Sequence, residues 1–427
     1  MRVMKDSGIP WIGEIPEGWK VCFIKQIMRN KSIKGFPNER VLSLYRDYGV
    51  IPKDSRDDNH NVTSDDTSSY KLVDEGDFVI NKMKAWQGSM AVSEYRGIIS
   101  PAYYICRFTS TDINKRYIHY LLRNDSYKTE YMRLSSGLRV GQWDLNIDDF
   151  LRIMMILPPL AEQQRIAEFL DRKCAEVDEM IALQEQIIEE LKAYKQSVIT
   201  EAVTKGLNTD APMRDSGIEW IGSIPEHWAC KELKFAIEGL CDGTHGTFER
   251  VDNGELLLSA KNIGDRGIEI GDNESRISYN DYCKIVGNGY PQKGDVLLCC
   301  VGSIGKCCLF TETKPIAFQR SVAFLRKNKT MTSEYLMYLL KSNIMQAQYE
   351  MHARKSAQSG IYMGVIRDFV IVSPEIAEQQ AIADYLDEKC ADIDSLIQTK
   401  QSKIDSLKEY KKSIIYEYVT GKREVEL

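Results

Sequence analysis

The 427-residue sequence predicts an α+β protein built twice over. Two globular blocks of mixed strands and helices are joined by two long helices, which are expected to pair as an antiparallel coiled coil about a pseudo-twofold axis. Three observations carry this expectation. Residues 6–19 return as residues 215–228 with eleven of fourteen positions identical. A second segment, Ala161-Glu162-Gln163-Gln164, returns as Ala377-Glu378-Gln379-Gln380 and keeps its register without a gap for about forty residues. Between these anchors the copies differ, so the order is variable block, helix, variable block, helix.

The first block, residues 1–157, mixes short β-type runs with Gly, Asn and Asp turns. The runs include Phe78-Val79-Ile80, Ile98-Ile99 and Tyr103-Tyr104-Ile105-Cys106, and a helix rich in Tyr and Leu is expected over residues 114–123. A helical spacer, residues 158–207, follows. Ile166, Leu170, Val177, Ile181, Ile188, Leu191, Val198 and Ala202 fall at helical spacing. Pro158-Pro159 blocks helix before that stretch and Gly206 ends it. The second block, residues 208–373, repeats the pattern with Val296-Leu297-Leu298, Val322-Ala323-Phe324-Leu325 and a helix over residues 333–341. The second spacer, residues 374–427, runs Ile382, Leu386, Ile393, Ile397, Ile404, Leu407, Ile414 and Tyr418, with Pro374 before it and Gly421 after it. Each stripe extends roughly 60–65 Å at about 1.5 Å per residue. A solitary helix of that length cannot bury its apolar face, so the two copies are the obvious mates. Met180, Ile187 and Tyr194 widen the first stripe beyond a two-helix seam. The extra edge is either covered by the blocks or a docking site for another protein.

Hydrophobic residues at 43% and charged residues at 28% describe an ordinary globular chain. Fifty-six Lys and Arg against 62 Asp and Glu give a net charge of −6, which excludes a uniformly basic nucleic-acid coat protein. The average hides a division: residues 1–157 carry +3, residues 158–211 carry −5, residues 212–373 carry 0 and residues 374–427 carry −4. No apolar run reaches the length of a membrane span, and residues 1–10 lack the apolar core of a signal peptide. Eleven cysteines without paired C-x-x-C motifs, and five histidines, argue for reduced, buried thiols in a cytoplasmic protein rather than a zinc site.

Basic residues gather in the blocks. Lys31 and Lys34 belong to a basic stretch, residues 20–46, with Glu39 as its one carboxylate. Lys82, Lys84, Trp86, Gln87 and Ser89 interleave cations, an aromatic and polar groups in one loop, as do Arg133, Ser135 and Arg139 in another. In the second block the comparable positions are Asp242, Thr244, His245 and Thr247, then Lys261, then Ser303, Lys306 and Arg320, then Arg354, Lys355 and Gln358. Lys and Arg neutralise phosphates, while Gln, Ser, Thr and Arg read base edges, so these residues are the candidate DNA contacts. Phosphate-binding, nucleophile-elbow and metalloprotease motifs are missing from the sequence, and no catalytic residue or metal ligand is assigned. His245 beside Asp242 could suggest a general base in a hydrolase, but reads better as a tight loop with a polar tip.

The repeated segments 6–19 and 159–167, the loops Gly294-Asp295-Val296-Leu297 and Asp242-Gly243-Thr244-His245, and the alternation of variable blocks with similar helices resemble the DNA-sequence specificity subunit of type I restriction–modification systems. The resemblance covers essentially the whole length. It implies that each block is a target-recognition domain for one half of a split, asymmetric duplex target, and that the length of the helices sets the gap. It also implies docking of two copies of a methyltransferase subunit, which holds S-adenosylmethionine, at Glu162, Gln163, Gln164 and Arg165 and at Glu378, Gln379 and Gln380. A translocating nuclease subunit joins them, and this chain is itself non-catalytic and needs no cofactor. Ala381 departs from the Arg165 of the first copy. The rival reading is a coiled-coil adaptor that bridges two protein partners without reading DNA.

Overall fold

The computed structural model describes residues 2–46, 48–56, 66–137, 143–353 and 360–425. The chain divides into two compact units, Met1–Gln184 with Ser402–Leu427, and Glu185–Gln401. Each unit combines a globular block, the start of the long helix after that block, and the end of the other long helix.

The repeated fourteen residues make the same turn twice. Asp6 accepts from the Gly8 amide at 2.9 Å and Ser7 Oγ from the Ile9 amide at 3.1 Å, closing a loop between strands Met4–Asp6 and Glu14–Pro16. The turn buries Ile9, Ile12, Ile15 and Trp19. In the second unit Asp215 and Ser216 accept from Gly217 and Ile218 at 3.0 and 3.2 Å, between strands Met213–Asp215 and Ser223–Pro225.

Each block is built on a four-stranded antiparallel sheet with one strand order. In the first unit that order is Met28–Lys31, Tyr103–Phe108, Phe78–Asn81, Met90–Val92. In the second it is Ile237–Asp242, Val322–Lys327, Val296–Cys299, Cys307–Leu309. The Tyr- and Leu-rich helices form as Lys115–Arg123 and Ser333–Lys341, with Asn114 and Thr332 capping their first turns. The adjacent cysteines fit this pleat. Cys300 and Cys307 face one core and Cys299 and Cys308 another, because neighbouring strand residues point to opposite faces. Burial pushes the thiols of Cys299, Cys300 and Cys307 up to about 12, as expected of small core-filling hydrophobes.

The inserts differ. The first unit carries a hairpin, Leu42–Tyr45 with Gly49–Pro52, and a strand pair, Lys71–Val73 with Gly97–Ile99. The second carries strand Glu255–Leu258, antiparallel to Arg276–Ile277 and parallel to Ala317–Phe318, followed by helix Tyr279–Gly287. Each block also has a helix that periodicity alone did not reveal, Asp125–Leu134 and Asn343–His352. Their exposed faces mix polar residues with Met132 and Met351, and burial of Tyr127, Tyr131, Ile344 and Tyr349 holds them in place.

The long helices run Leu160–Lys205 and Ile376–Val419. Within each unit their segments lie antiparallel. In the first, Phe169 packs on Tyr418 with ring centroids 4.3 Å apart, and Lys411 reaches both carboxylate oxygens of Asp178 at 2.6 and 2.7 Å. In the second, Lys195 bonds Asp394 at 2.8 Å while the segment's end, at Gly206, comes up to Glu378. Gly206 and Gly421 end the helices at φ +75° and +70°. A side chain there would meet the Trp228 ring at 3.1 Å and, at Gly421, Pro16 at 2.5 Å, so only glycine suits both the backbone and the space.

The repeated Glu-Gln pair clamps each helix start to its block. Glu162 accepts from the buried Trp19 indole at 3.0 Å, and Glu378 from Trp228 at 2.8 Å. Gln163, fully buried, donates to the carbonyls of Pro158 at 2.8 Å and Asp112 at 3.2 Å and accepts from the Asn114 amide at 2.8 Å. Gln379 does the same with Pro374, Thr330 and Thr332. Gln163→Leu removes three hydrogen bonds, one of them to the buried Pro158 carbonyl, and should lower the stability of the first unit by about 2 kcal/mol. Gln164→Ala, on the exposed side, should change it by less than about 0.5 kcal/mol. Urea unfolding of the full chain checks both, and equal midpoints for the two variants would count against the clamp.

Candidate nucleic-acid interface

The first block's candidate loop grows from the sheet edge. Asn81 ends strand Phe78–Asn81 and its side chain accepts from the Met83 amide at 3.1 Å, which starts the short 3-10 helix Lys82–Gln87. Trp86 donates its indole N–H to the Met83 carbonyl at 3.1 Å and lies 5.3 Å, centroid to centroid, from Trp143. Gln87 accepts from Arg46 at 2.6 Å. Lys84 projects into solvent, while Ser89 is buried. Lys82 sits over the Tyr104 ring at 4.6 Å.

Other candidates in this unit are engaged with the protein itself. Lys31 is 7% exposed, and its ammonium bonds Asp74 at 2.7 Å and also Asp77. Asp74 also takes Arg96 and Arg107, so its carboxyl lies below the usual range, chiefly through the Lys31 hydrogen bond. Asp77 belongs to a Gly-Asp pair, Gly76-Asp77, that returns as Gly294-Asp295. It accepts from the Asp74 amide at 2.9 Å, as Asp295 accepts from the Gln292 amide at 2.8 Å. In the second unit Arg326 supplies the cation, bidentate to Asp295 at 2.8 and 3.0 Å. Arg133 stands on helix Asp125–Leu134 and forks onto Glu130 with two contacts of 2.7 Å. Ser135 caps that helix by donating to the Tyr131 carbonyl at 2.7 Å. Lys34 is exposed. Arg139 lies outside the described residues.

In the second block the segment 318–321, which carries Arg320, draws three other candidate regions to it. The Thr244 amide donates to the Phe318 carbonyl at 2.8 Å, and its own carbonyl accepts from the Arg320 amide at 3.0 Å. Ser321 Oγ accepts from the Ala260 amide at 3.1 Å, which brings Lys261 alongside. The Ser321 carbonyl accepts from the Cys300 amide at 2.9 Å, and the turn bearing Ser303 and Lys306 follows that strand. His245 contacts Asp242 at 2.7 Å across the tight loop foreseen from the sequence, with Thr247 exposed beyond it. Arg354, Lys355 and Gln358 lie outside the described residues. Of the helix-start residues, Glu162, Gln163, Glu378 and Gln379 turn inward to the clamps, whereas Gln164, Arg165 and Gln380 stand outward.

Sequence reasoning passed over Lys71, Tyr104 and Trp143. Lys71 opens an apolar strand and reads as a boundary residue. Tyr104 reads as one residue of a β-type run and Trp143 as a lone aromatic, and their cationic and aromatic neighbours come only with the fold.

Lys261 bonds Glu274 at 2.8 Å, and with Asn262 and the Gly271 amide holds that carboxyl at about 2. A depressed folded-state value stabilises the fold above the ordinary carboxylate range, and that contribution fades as pH falls toward 2. Lys261→Met should therefore raise the Glu274 value toward 4.5 in a carboxyl-carbon NMR titration, and an unmoved value would contradict the pairing.

A family model described as "Type I restriction modification DNA specificity domain" matches residues 16–193 and 252–420. The chain is 26% identical over 436 aligned residues to the type I restriction enzyme MjaVIII specificity subunit of Methanocaldococcus jannaschii, covering 96% of this chain and 93% of that protein. It is 28% identical over 251 residues to the EcoBI specificity subunit of Escherichia coli, covering 57% of this chain and 52% of that protein. A solved structure described as "Structural basis underlying complex assembly and conformational transition of the type I R-M system" shares the fold with a TM-score of 0.68 at 16% identity, covering 95% of this chain and 98% of that one. No helix among the described residues is long and apolar enough to cross a membrane. With the family model spanning both blocks and most of both long helices, the chain belongs to the type I restriction–modification DNA specificity domain family.

Proposed function

We propose that this chain is the non-catalytic DNA-reading subunit of a type I restriction–modification complex. Residues 1–157 and 208–373 each bind one half of a bipartite, asymmetric duplex target. The spacers 158–207 and 374–427 set the gap between the halves and dock two methyltransferase subunits, with Gln164, Arg165 and Gln380 available at the helix starts. S-adenosylmethionine belongs to those partners, and a translocating nuclease subunit completes a cytoplasmic assembly.

One observation carries the reading: the same sheet order and the same Glu-Gln clamp recur in both units beneath unlike surfaces. The first surface offers lysines with a tryptophan pair, and the second offers Thr244, His245, Lys261 and Arg320 around one segment. A repeated frame under different polar, cationic loops suits two readers with different base preferences. The acidic helices suit protein contact better than duplex contact.

Expressing the chain with its neighbouring-gene products and mapping methylated adenines genome-wide should reveal one interrupted, asymmetric motif. Absence of such a motif, with the chain still bridging two proteins, would favour the adaptor reading. Replacing residues 1–157 by another block should change one half of the motif and leave the other intact. Inserting one heptad into each long helix should lengthen the gap by about three base pairs, since seven residues rise about 10.5 Å and a base-pair step about 3.4 Å. An unchanged gap with full methylation would exclude the spacer role.

A further inference from the structure

Several cations of the first unit face carboxylates. Lys31, Arg96 and Arg107 converge on Asp74, Arg40 pairs with Asp54, and Arg116 pairs with Asp171. Three lysines differ. Lys71 opens strand Lys71–Val73 and is only 8% exposed. Its ammonium donates to the Tyr103 carbonyl at 2.7 Å and lies 5.6 Å from the centre of the Tyr104 ring. Lys82 lies over the same ring at 4.6 Å, its backbone fixed by donation to the Ala102 carbonyl at 3.2 Å. The Leu72 amide donates to the Ile33 carbonyl at 2.8 Å, which sets Lys34 beside Lys71. Among the described residues no carboxylate pairs with any of these three lysines.

Gathering like charges is costly, the more so at a half-buried surface where water screens them poorly. Burial first, then Lys82 and Lys34, hold the Lys71 ammonium below the usual lysine range. Asp144 and Asp148 bear on the Tyr104 hydroxyl rather than on the Lys71 ammonium. The Tyr103 carbonyl takes one Lys71 proton and leaves the group an anchored donor, while Lys34 and Lys82 reach in on flexible stems. An arriving anion relieves the repulsion among all three.

We infer that Lys71 and Lys82, which share the Tyr104 ring, and Lys34 beside Lys71 bind a backbone phosphodiester of duplex DNA. The inference rests on the DNA-reading role proposed above. The ligand oxygens are the two non-bridging oxygens of one diester, and the contact is indifferent to base sequence, so it positions the first block on the duplex instead of selecting the bases. Among the described residues the second unit has no counterpart at the matching positions. By sheet register Ala323 occupies the place of Tyr104, and counting from the repeated Gly-Asp pair the buried Cys300 occupies that of Lys82. The first half-site therefore carries the larger share of the salt dependence.

The test uses the full chain in complex with its methyltransferase subunits. Fluorescence anisotropy follows two labelled duplexes across a range of potassium chloride: one bearing the mapped target, the other the same bases scrambled. Lys34→Gln with Lys82→Gln should weaken both duplexes alike, by about tenfold, and reduce the slope of log affinity against log salt by about one, since a single phosphate is neutralised at the site. Lys34→Arg with Lys82→Arg should restore both, and thermal melting of each variant confirms that it folds. Wild-type affinity and slope in the Gln variant would overturn the phosphate site while leaving DNA reading intact. Weakening confined to the target duplex would overturn it too, by making these lysines base readers. A wild-type complex that binds neither duplex would overturn the DNA-reading role and, with it, this site.

Discussion

A buried amide and a buried indole at the start of each long helix hold the rest of the architecture in place. The carbonyls of Pro158 and Pro374, buried just before each helix, need donors, and Gln163 and Gln379 supply them from the next turn. The same glutamines take up a carbonyl and an amide from the block, and the neighbouring glutamates take up the tryptophan N–H. A buried indole requires such an acceptor, and a buried carboxamide requires its full complement of partners. Within each unit, then, the block's orientation on its helix follows from a few hydrogen bonds that have no substitute in water.

Around this frame the duplication divides labour. Groups that recur serve the interior: the Asp-Ser turn, the Glu-Gln clamp, and the tyrosines Tyr117 and Tyr335, whose hydroxyls reach the last-turn carbonyls Val419 and Val203 at 2.9 and 3.2 Å. Tyr120 and Tyr338 likewise each donate to a helix aspartate at 2.6 Å. Groups that differ serve the surface. The Gly-Asp turn shows both tendencies at once, because the aspartate is held alike in each copy but its cation is Lys31 with Arg107 in one and Arg326 in the other. An ionised carboxylate at that depth needs a cation, and more than one route through the fold can deliver it.

Charge is arranged on the same principle. The acidic excess lies in the helical segments, and the blocks are near neutral overall. Near neutrality in the first block is the sum of cations spent on internal ion pairs and a few lysines left without partners. The second kind gives a local field that the average conceals.

Much of this was legible in one dimension. The repeats disclosed the duplication, the 3.6-residue apolar period disclosed the long helices, and β-type runs beside Gly and Asp turns disclosed the sheets, because each depends on neighbours within a few turns of chain. The candidate surface was legible only in part. Composition singled out the loops around Lys82 and Thr244, but Lys31 and Arg133 carry the same charge as Lys34 and are bound to Asp74, Asp77 and Glu130. Likewise Glu162 and Gln164 sit in one repeated motif, yet one faces a tryptophan and the other solvent. The sequence by itself determined which residues could meet a phosphate or a partner. The tertiary structure alone decided which already had an opposite charge at hand, because Coulomb and hydrogen-bond energies fall off over a few ångströms and the residues that satisfy them, such as Lys31 and Asp77, come from distant parts of the chain.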